Sequence, residues 1–543
     1  MADTRPNIPT PVNDPIRSYA PGTPEKLRLK ARLAELSDAG TAVPLVIDGR
    51  PVSGNGMVSI RPPHRHELEV GEHAVGGVKE VDAAIKAALR ARHDWAALPY
   101  ADRAAVFLRA AALLAGPWRD TINAATMLGQ SKNVMQAEID AACELVDFWR
   151  YNVYYGDHIL RQQPFSDGTA WNRLEYRPLE GFIFVVTPFN FTSIAGNLPT
   201  APALMGNTVV FKPSHETMLV CHFLMRLLEE AGLPPGVINM VSGDSAKIAD
   251  QVLGRKELAG IHFTGSTPVF QSMWGKVGAN IHNYRTYPRL VGETGGKDFI
   301  FAHQSAEVAG LTTALVRGAF EYQGQKCSAA SRAYIPQSMW KRMKRDITEQ
   351  VSSIAMGDVA DFRNFMGAVI NESAFKRHKA AIAEAKRSTK AEVIVGGDTD
   401  GRDGWFVRPT IIEAQSPDYR TMREELFGPI LTVYPYPDKE FDATLDICDN
   451  TSPYGLTGAI FATDRAAVKT AADRLVNAAG NFYVNDKPTG AVVGLQPFGG
   501  ARGSGTNDKA GSYLNLLRWV SPRTVKETYV PPTDYRYPHM AEE

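Results

Sequence analysis

Cysteine is scarce in this chain: four stand in 543 residues, at positions 143, 221, 327 and 448, and no two form a CxxC pair. That spacing encodes neither a disulfide framework nor a thiolate zinc site, no metal site is expected, and a reducing compartment is. Net charge is also missing. Lys+Arg and Asp+Glu both number 59, so no global field draws the chain to nucleic acid or an anionic membrane, and no basic stretch interleaved with aromatics marks a nucleic-acid surface. No run of about 18 apolar residues occurs, which argues against a membrane span. The N-terminal stretch through Leu33 has no apolar signal core and carries Asp3 and Asp14, which argues against a secretory or organelle leader. The expected location is cytoplasmic, or the mitochondrial matrix in a eukaryote. Internal repeats and low-complexity tracts are absent as well.

What is present is ordinary globular material. Hydrophobic residues make up 44% and charged residues 22%, enough to bury a large core, and the length implies several domains. Residues 1–40 read as an arm lying over the body. Segments 81–98, 101–116 and 131–156 place apolar residues at helical spacing. The stretch 156–180 is mixed, carries a DG turn and reads as a hairpin excursion. From residue 181, the apolar runs GFIFVVTP, NTVVFKP, GVINMVSG, GIHFTG and RLVGETG alternate with helical segments at 193–206, 215–232, 245–254 and 267–279. Runs buried on both faces and separated by helices predict a parallel, doubly wound sheet. A second series lies at 391–395, 406–413, 430–435, 457–462 and 481–485. Two α/β domains are expected, meeting between about residues 291 and 300. The tail after residue 520 is interrupted by Pro531 and Pro532, which leaves an edge strand at most.

No GxGxxG fingerprint opens the first sheet, so a dinucleotide site must rest on other features. GIHFTGSTPVF at 260–270 reads as a strand, a Gly-Ser turn and a helix start, placing backbone N–H groups and the Ser266 hydroxyl where a diphosphate would bind. A capping serine is the alternative reading of the same residues. VGETGGK sets Glu293 at a strand end, where ligands gather in such sheets. Among the cysteines, Cys143, Cys221 and Cys448 belong to apolar helical patterns and read as small buried hydrophobes. Cys327 differs: it lies in QGQKCSAASR, among polar and small residues, with Lys326 adjacent to lower its pKa. It is the candidate nucleophile.

With PFNF at 188–191, FKPS at 211–214, FTGS at 263–266, ETGGK at 293–297, GQKCSA at 324–329, EELFGP at 424–429 and QPFGG at 496–500, in that order, the chain resembles the aldehyde dehydrogenase family. The resemblance implies an α/β fold with a Rossmann-type NAD-binding domain (1–155 and 180–292), a catalytic α/β domain (293–515) and a small β oligomerisation element (156–179 and 516–543). It implies Cys327 as nucleophile, Glu293 as general base for deacylation, and Asn190 with the Cys327 N–H as oxyanion donors. Lys212, Ser214, Gly265, Ser266, Glu425 and Phe427 form the implied NAD set. Where many relatives carry Glu three residues after the lysine, this chain has His215 with Glu216 next, so NADP stays open.

Within the family, the long arm, DAACELVDFWRYN, TGAVVGLQPFGGARGSGTNDKAG and the aromatic tail are most similar to the branch that oxidises L-glutamate γ-semialdehyde to glutamate. A different semialdehyde, such as succinic, is the alternative. The α-carboxylate of that substrate would meet Ser328, Gly490 and Ala491, its chain would lie between Phe191 and Phe498, and Glu144 would meet its ammonium. Glu144 also reads as a solvated helix-face residue. CoA-acylating and phosphate-dependent relatives lack the glutamate base, so Glu293 favours hydrolysis. The implied partners are a small-molecule substrate supplied by a proline dehydrogenase and further copies of the chain, as a homodimer or a higher homo-oligomer.

Overall fold

A computed structural model describes residues 7–542. The first six residues of the expected arm, Asp3 included, lie outside the described residues. Two seven-stranded sheets organise the molecule. In the first, the strands run in spatial order Arg289–Glu293, Leu258–Thr264, Phe182–Val186, Thr208–Lys212, Ile238–Met240, Leu45–Ile47 and Arg50–Val52. The first five are parallel, and the five apolar runs read from the sequence supply them. Their continuous apolarity follows from burial on both faces. Ile183 and Val185 turn into one core with Leu145 and Trp149 of the N-terminal helices. Phe182 and Phe184 turn into another, with Val81 and Ile85 on one helix and Phe270 on a second. The four intervening helices lie at Thr192–Leu204, Met218–Glu230, Ser245–Leu253 and Thr267–Ala279.

The second sheet runs Ala391–Val395, Thr410–Ala414, Ile430–Tyr436, Ala330–Pro336, Asp298–Ala302, Thr457–Phe461 and Asn481–Val484. The chain leaves the first sheet at Glu293 and enters the second at Asp298.

Several expectations need correction. The first sheet is not wholly parallel, because Leu45–Ile47 and Arg50–Val52 extend its edge antiparallel. The run at 406–413 is two strands, Phe406–Val407 and Thr410–Ala414. Asp298–Ala302 and Ala330–Pro336, at the middle of the second sheet, were not separated from their motif-rich surroundings. The expected helix at 131–156 is interrupted: an α segment Val134–Ala137 passes into a π segment Glu138–Cys143 and then into Glu144–Leu160. A further helix, Arg119–Gln130, precedes it.

The excursion is not a hairpin. Its strand, Ala170–Pro178, pairs along nine residues with Val520–Thr528 of the tail, antiparallel. The strand contains Pro522, and Pro531 and Pro532 come after it. Local turn signals pointed to a neighbour in sequence, whereas the partner strand comes from the far end of the chain.

Candidate active site

Strand order locates the site. Chain order reverses between Phe182–Val186 and Leu258–Thr264, and ligands of such sheets bind beyond the carboxyl ends of the strands at that reversal. Val186 pairs with Lys212 and Thr264 with Glu293, so the strand ends lie side by side. Asn190 follows the first of these strands, Lys212 ends the second, Gly265 and Ser266 follow the third and Glu293 ends the fourth.

Cys327 comes from the other sheet, on the turn before Ala330–Pro336. The approach to it is strained. Tyr322 and Gln323 hold left-handed backbone (φ 49° and 55°), followed by Gly324 at φ 64°. Such conformations persist only where the surroundings over-determine them. Here the Gln323 amide does so: its Nε2 donates to Ser131 O (3.0 Å) and Ala368 O (2.8 Å), and its Oε1 accepts from Gly367 N (3.0 Å). Alone of the four cysteines, Cys327 is not fully buried.

The electrostatics of the thiol differ from expectation. The Lys326 ammonium is engaged by carboxylates, with Nζ 3.4 Å from Asp140 and 3.7 Å from Glu321. Burial, reinforced by the nearby carboxyls of Glu293, Asp298 and Glu425, pushes the Cys327 pKa well above the usual thiol value. The adjacent lysine therefore does not preform a thiolate, and the thiol needs a proton acceptor.

Glu293 has the properties of that acceptor. Burial pushes its carboxyl up to about 8, and its Oε1 is buried with no hydrogen-bond partner among the described residues. Its backbone, by contrast, is pinned: Gly265 N donates to Glu293 O (3.1 Å), and the flanking residues bond the 503–506 loop through Thr294 N to Ser504 O (2.9 Å) and Thr506 N to Gly292 O (2.9 Å). The QPFGG motif explains itself here, since a Cβ at Gly499 would stand 3.1 Å from Glu293 Oε1. Asn190 is buried, and its Nδ2 donates to Gln325 O (3.1 Å), two residues before Cys327. The second Nδ2 hydrogen is not used in this bond.

One cavity, of about 180 Å³, brings together Cys327, Glu293, Ser328, Gly490, Ala491, Phe191, Phe498 and Glu144. Asn190 is not part of its wall. Ser328 Oγ donates to Thr489 Oγ1 (2.8 Å), joining the turn after the cysteine to the loop that presents Gly490, itself at φ 92°. Glu144 is not on a solvated face. It lines the cavity and accepts from Ser193 Oγ (2.9 Å), and burial, with Asp140 nearby, pushes its carboxyl up to about 8.

Sequence reasoning missed the charges beneath this floor. Lys132 Nζ donates to Asp140 Oδ2 (2.8 Å) and lies 4.3 Å from the centre of the Phe191 ring, a cation–π contact that holds the ring. The π segment Glu138–Cys143 brings Asp140, Cys143 and Glu144 to the cavity. Such segments are frequent at functional sites, but they leave no periodicity in the sequence to find them by.

The dinucleotide residues lie on the adjoining edge. Ser266 is the N-cap of Thr267–Ala279, and its side chain makes no capping bond, so the helix terminus retains its anion-binding character. Lys212 is buried, which lowers its pKa. Gly296 N donates to Glu425 Oε1 (2.8 Å), and a Cβ on Gly295 would collide with the Glu425 carboxylate. This close approach accounts for the first glycine of ETGGK; the second, Gly296, is required because a Cβ there would collide with Cys327 O and the Asp298 carboxyl. Phe427 holds φ 56° and meets Phe189 edge-on at 5.7 Å.

The Ser214 hydroxyl is spent on Glu216, which also accepts from Asn371 Nδ2 (2.9 Å). His215 faces Gly243 O (3.1 Å) and Ser242 Oγ (3.3 Å). These residues suit a dinucleotide: a helix terminus for the diphosphate, a lysine, and a carboxylate held at a glycine-cleared edge.

A cavity-lining thiol together with a carboxyl whose Oε1 has no partner among the described residues, at the join of two α/β sheets, agrees with what comparison with known proteins finds. Residues 52–525 match the sequence profile of the Aldehyde dehydrogenase family, and the chain belongs to that family. It is similar to delta-1-pyrroline-5-carboxylate dehydrogenase of Agaricus bisporus, with 48% identity over 98% of this chain and 97% of that one. It is similar also to the mitochondrial delta-1-pyrroline-5-carboxylate dehydrogenase of Dictyostelium discoideum, with 48% identity over 99% and 97%. Among solved structures, the Mycobacterium tuberculosis delta-pyrroline-5-carboxylate dehydrogenase bound with NAD superimposes with a TM-score of 0.96 and 56% identity, over 99% of this chain and all of that one.

Proposed function

We propose that this chain oxidises L-glutamate γ-semialdehyde, the open form of 1-pyrroline-5-carboxylate, to L-glutamate with NAD. The cavity carries this reading: thiol and base stand with Phe191 and Phe498 in the same chamber as a glycine loop and two serine and threonine hydroxyls. A substrate that is polar at both ends requires donors at both, because an apolar tunnel would leave its carboxylate unsolvated. The relatives named for the same activity support it at full length.

In this reading Cys327 Sγ adds to the aldehyde carbon as its proton passes to Glu293 or water, giving a thiohemiacetal. Asn190 Nδ2 and the Cys327 N–H hold the oxyanion. NAD, when bound, supplies the hydride acceptor, and a thioester remains on Cys327. Glu293, whose raised pKa suits a base working near neutrality, then takes a proton from the water that attacks the thioester carbon, releasing glutamate and the thiol. Ser328 and the N–H groups of Gly490 and Ala491 orient the α-carboxylate, and Glu144 the ammonium. Ser266, Gly265, Lys212, Glu425 and Phe427 hold the cofactor, and Ser214, its hydroxyl bonded to Glu216, supports that edge. With His215 where a ribose-binding acid would stand, NADP is the second cofactor to assay.

Residues 1–155 and 180–292 serve the cofactor, 293–515 the chemistry, and 156–179 with 516–543 a homodimer contact, to which the strand Ala170–Pro178 offers exposed Trp171 and the tail after Thr528 offers exposed Val530. A proline dehydrogenase would supply the imine, in the cytoplasm or a mitochondrial matrix. The test is NADH formation by the purified protein with pyrroline-5-carboxylate, succinic semialdehyde and simple alkanals. The expected result is the highest kcat/KM for the first, and equal or better turnover of succinic semialdehyde overturns the assignment.

A further inference from the structure

The loop that presents Gly490 and Ala491 lies between the strand Asn481–Val484 and Phe498, and contains no strand or helix of its own. Something outside it must hold it still. Part of the restraint comes from the long helix Glu144–Leu160, because a Cβ on Gly494 would collide with the Tyr151 ring, so the loop lies flush on that ring. Beside the Ser328–Thr489 bond, a further restraint comes from the N-terminal arm, some 480 residues away in sequence. Asn13 Nδ2 donates to Val493 O (2.9 Å) and to Asp147 Oδ2 (2.8 Å), while its Oδ1 accepts from Tyr151 OH (3.0 Å). All the polar atoms of its amide are thus used, and two of its partners belong to the helix. Asn13 lines the same cavity as Gly490 and Ala491.

The arm itself is anchored firmly. The next residue, Asp14, is buried and paired with Arg119 and with Arg150 (3.0 Å), and its N–H donates to Asp147 Oδ1 (2.7 Å). Arg119 Nη2 also donates to Pro15 O (3.1 Å). Asn13 therefore reaches the loop from a fixed support.

We propose that Asn13 is a positioning residue for substrate selection: through Val493 O it sets the height of the Gly490–Ala491 N–H groups and so the affinity for an aldehyde bearing an α-carboxylate. The proposal rests on the reading of that loop as the carboxylate site. It makes the arm part of the specificity apparatus while leaving Cys327, Glu293 and the cofactor edge untouched.

The experiment compares wild type, Asn13→Ala and Tyr151→Phe on glutamate semialdehyde and on butanal, which has no α-carboxylate. For Asn13→Ala, KM for the semialdehyde should rise roughly tenfold, the effect of one or two lost hydrogen bonds, with kcat, KM for butanal and KM for NAD unchanged. Tyr151→Phe should shift the same KM less, and amide hydrogen exchange at 490–494 should quicken in both variants. An unchanged semialdehyde KM, or equal KM rises for both aldehydes, overturns the role of Asn13. A wild type that does not favour the semialdehyde over butanal overturns the underlying reading, and this inference with it.

Discussion

Two buried glutamates, Glu138 and Glu293, show how the molecule uses the same side chain in opposite ways. Glu138 is surrounded by donors: Arg17 N and Tyr19 OH (2.8 Å each), Asn123 Nδ2 (2.9 Å) and the Arg119 guanidinium. Burial disfavours its charge, yet these donors outweigh burial and hold its carboxyl below the ordinary 4.5. Glu293 lines the cavity and lacks such donors: its Oε1 is buried with no partner among the described residues, and burial prevails. A satisfied buried carboxylate fixes chain to chain. An unsatisfied one is available to take a proton.

The sharpest break of this contrast lies beside Glu293. Cys327→Ala should lower turnover by about 10⁴-fold or more while leaving NAD binding intact, as read by steady-state NADH formation and by fluorescence titration. Glu293→Gln should lower steady-state turnover by about 10² to 10⁴-fold yet keep a first burst of NADH, slowed because only water is left to take the thiol proton, and the limb of the kcat profile near pH 8 should vanish with it. Full steady-state turnover would remove Glu293 from the mechanism. Asn190→Ala should slow the burst itself by about 10² to 10³-fold, since it removes an oxyanion donor.

At the other glutamate the expected effect is on stability. Arg119→Met removes the guanidinium shared by two buried carboxylates, Asp14 and Glu138, and should cost about 3–5 kcal/mol, measured by denaturant unfolding at neutral pH. Because Glu138 titrates lower when folded than unfolded, its contribution is present above about pH 4.5 and lost as pH falls through the folded value. Glu293 has the reverse sign: its cost is absent below 4.5, grows toward pH 8 and is constant above. Glu293→Gln should therefore raise Tm modestly at pH 8 and leave it unchanged at pH 4. A Tm gain at both pH values would mean that charge burial is not its cause.

Much of the site was legible. Cys327 among small and polar neighbours, Glu293 at a strand end and Ser266 at a helix start are local patterns, and the structure places Cys327 and Glu293 in one cavity with Ser266 at the adjoining edge. The activating role expected of Lys326 fails for a long-range reason: Asp140, far upstream, pairs with its ammonium, and the thiol is instead pushed up by burial and nearby carboxyls. Glu144 reads more readily as solvent-facing from the sequence, because a π segment shifts the helical phase that would mark it as inward. The excursion at 156–180 looked like a hairpin because its DG turn is local, whereas its partner strand follows some 340 residues later.

From residue order alone come the alternation of buried strands with helices, the reacting groups and the glycines that let backbone and carboxylate approach. These are written in neighbours a few positions apart, where sterics and periodicity act. Which charges meet which, where the arm lies, and whether a buried acid is paired or left to react depend on contacts across hundreds of residues. Burial and hydrogen bonding set those properties, and both come into being only once the chain has packed.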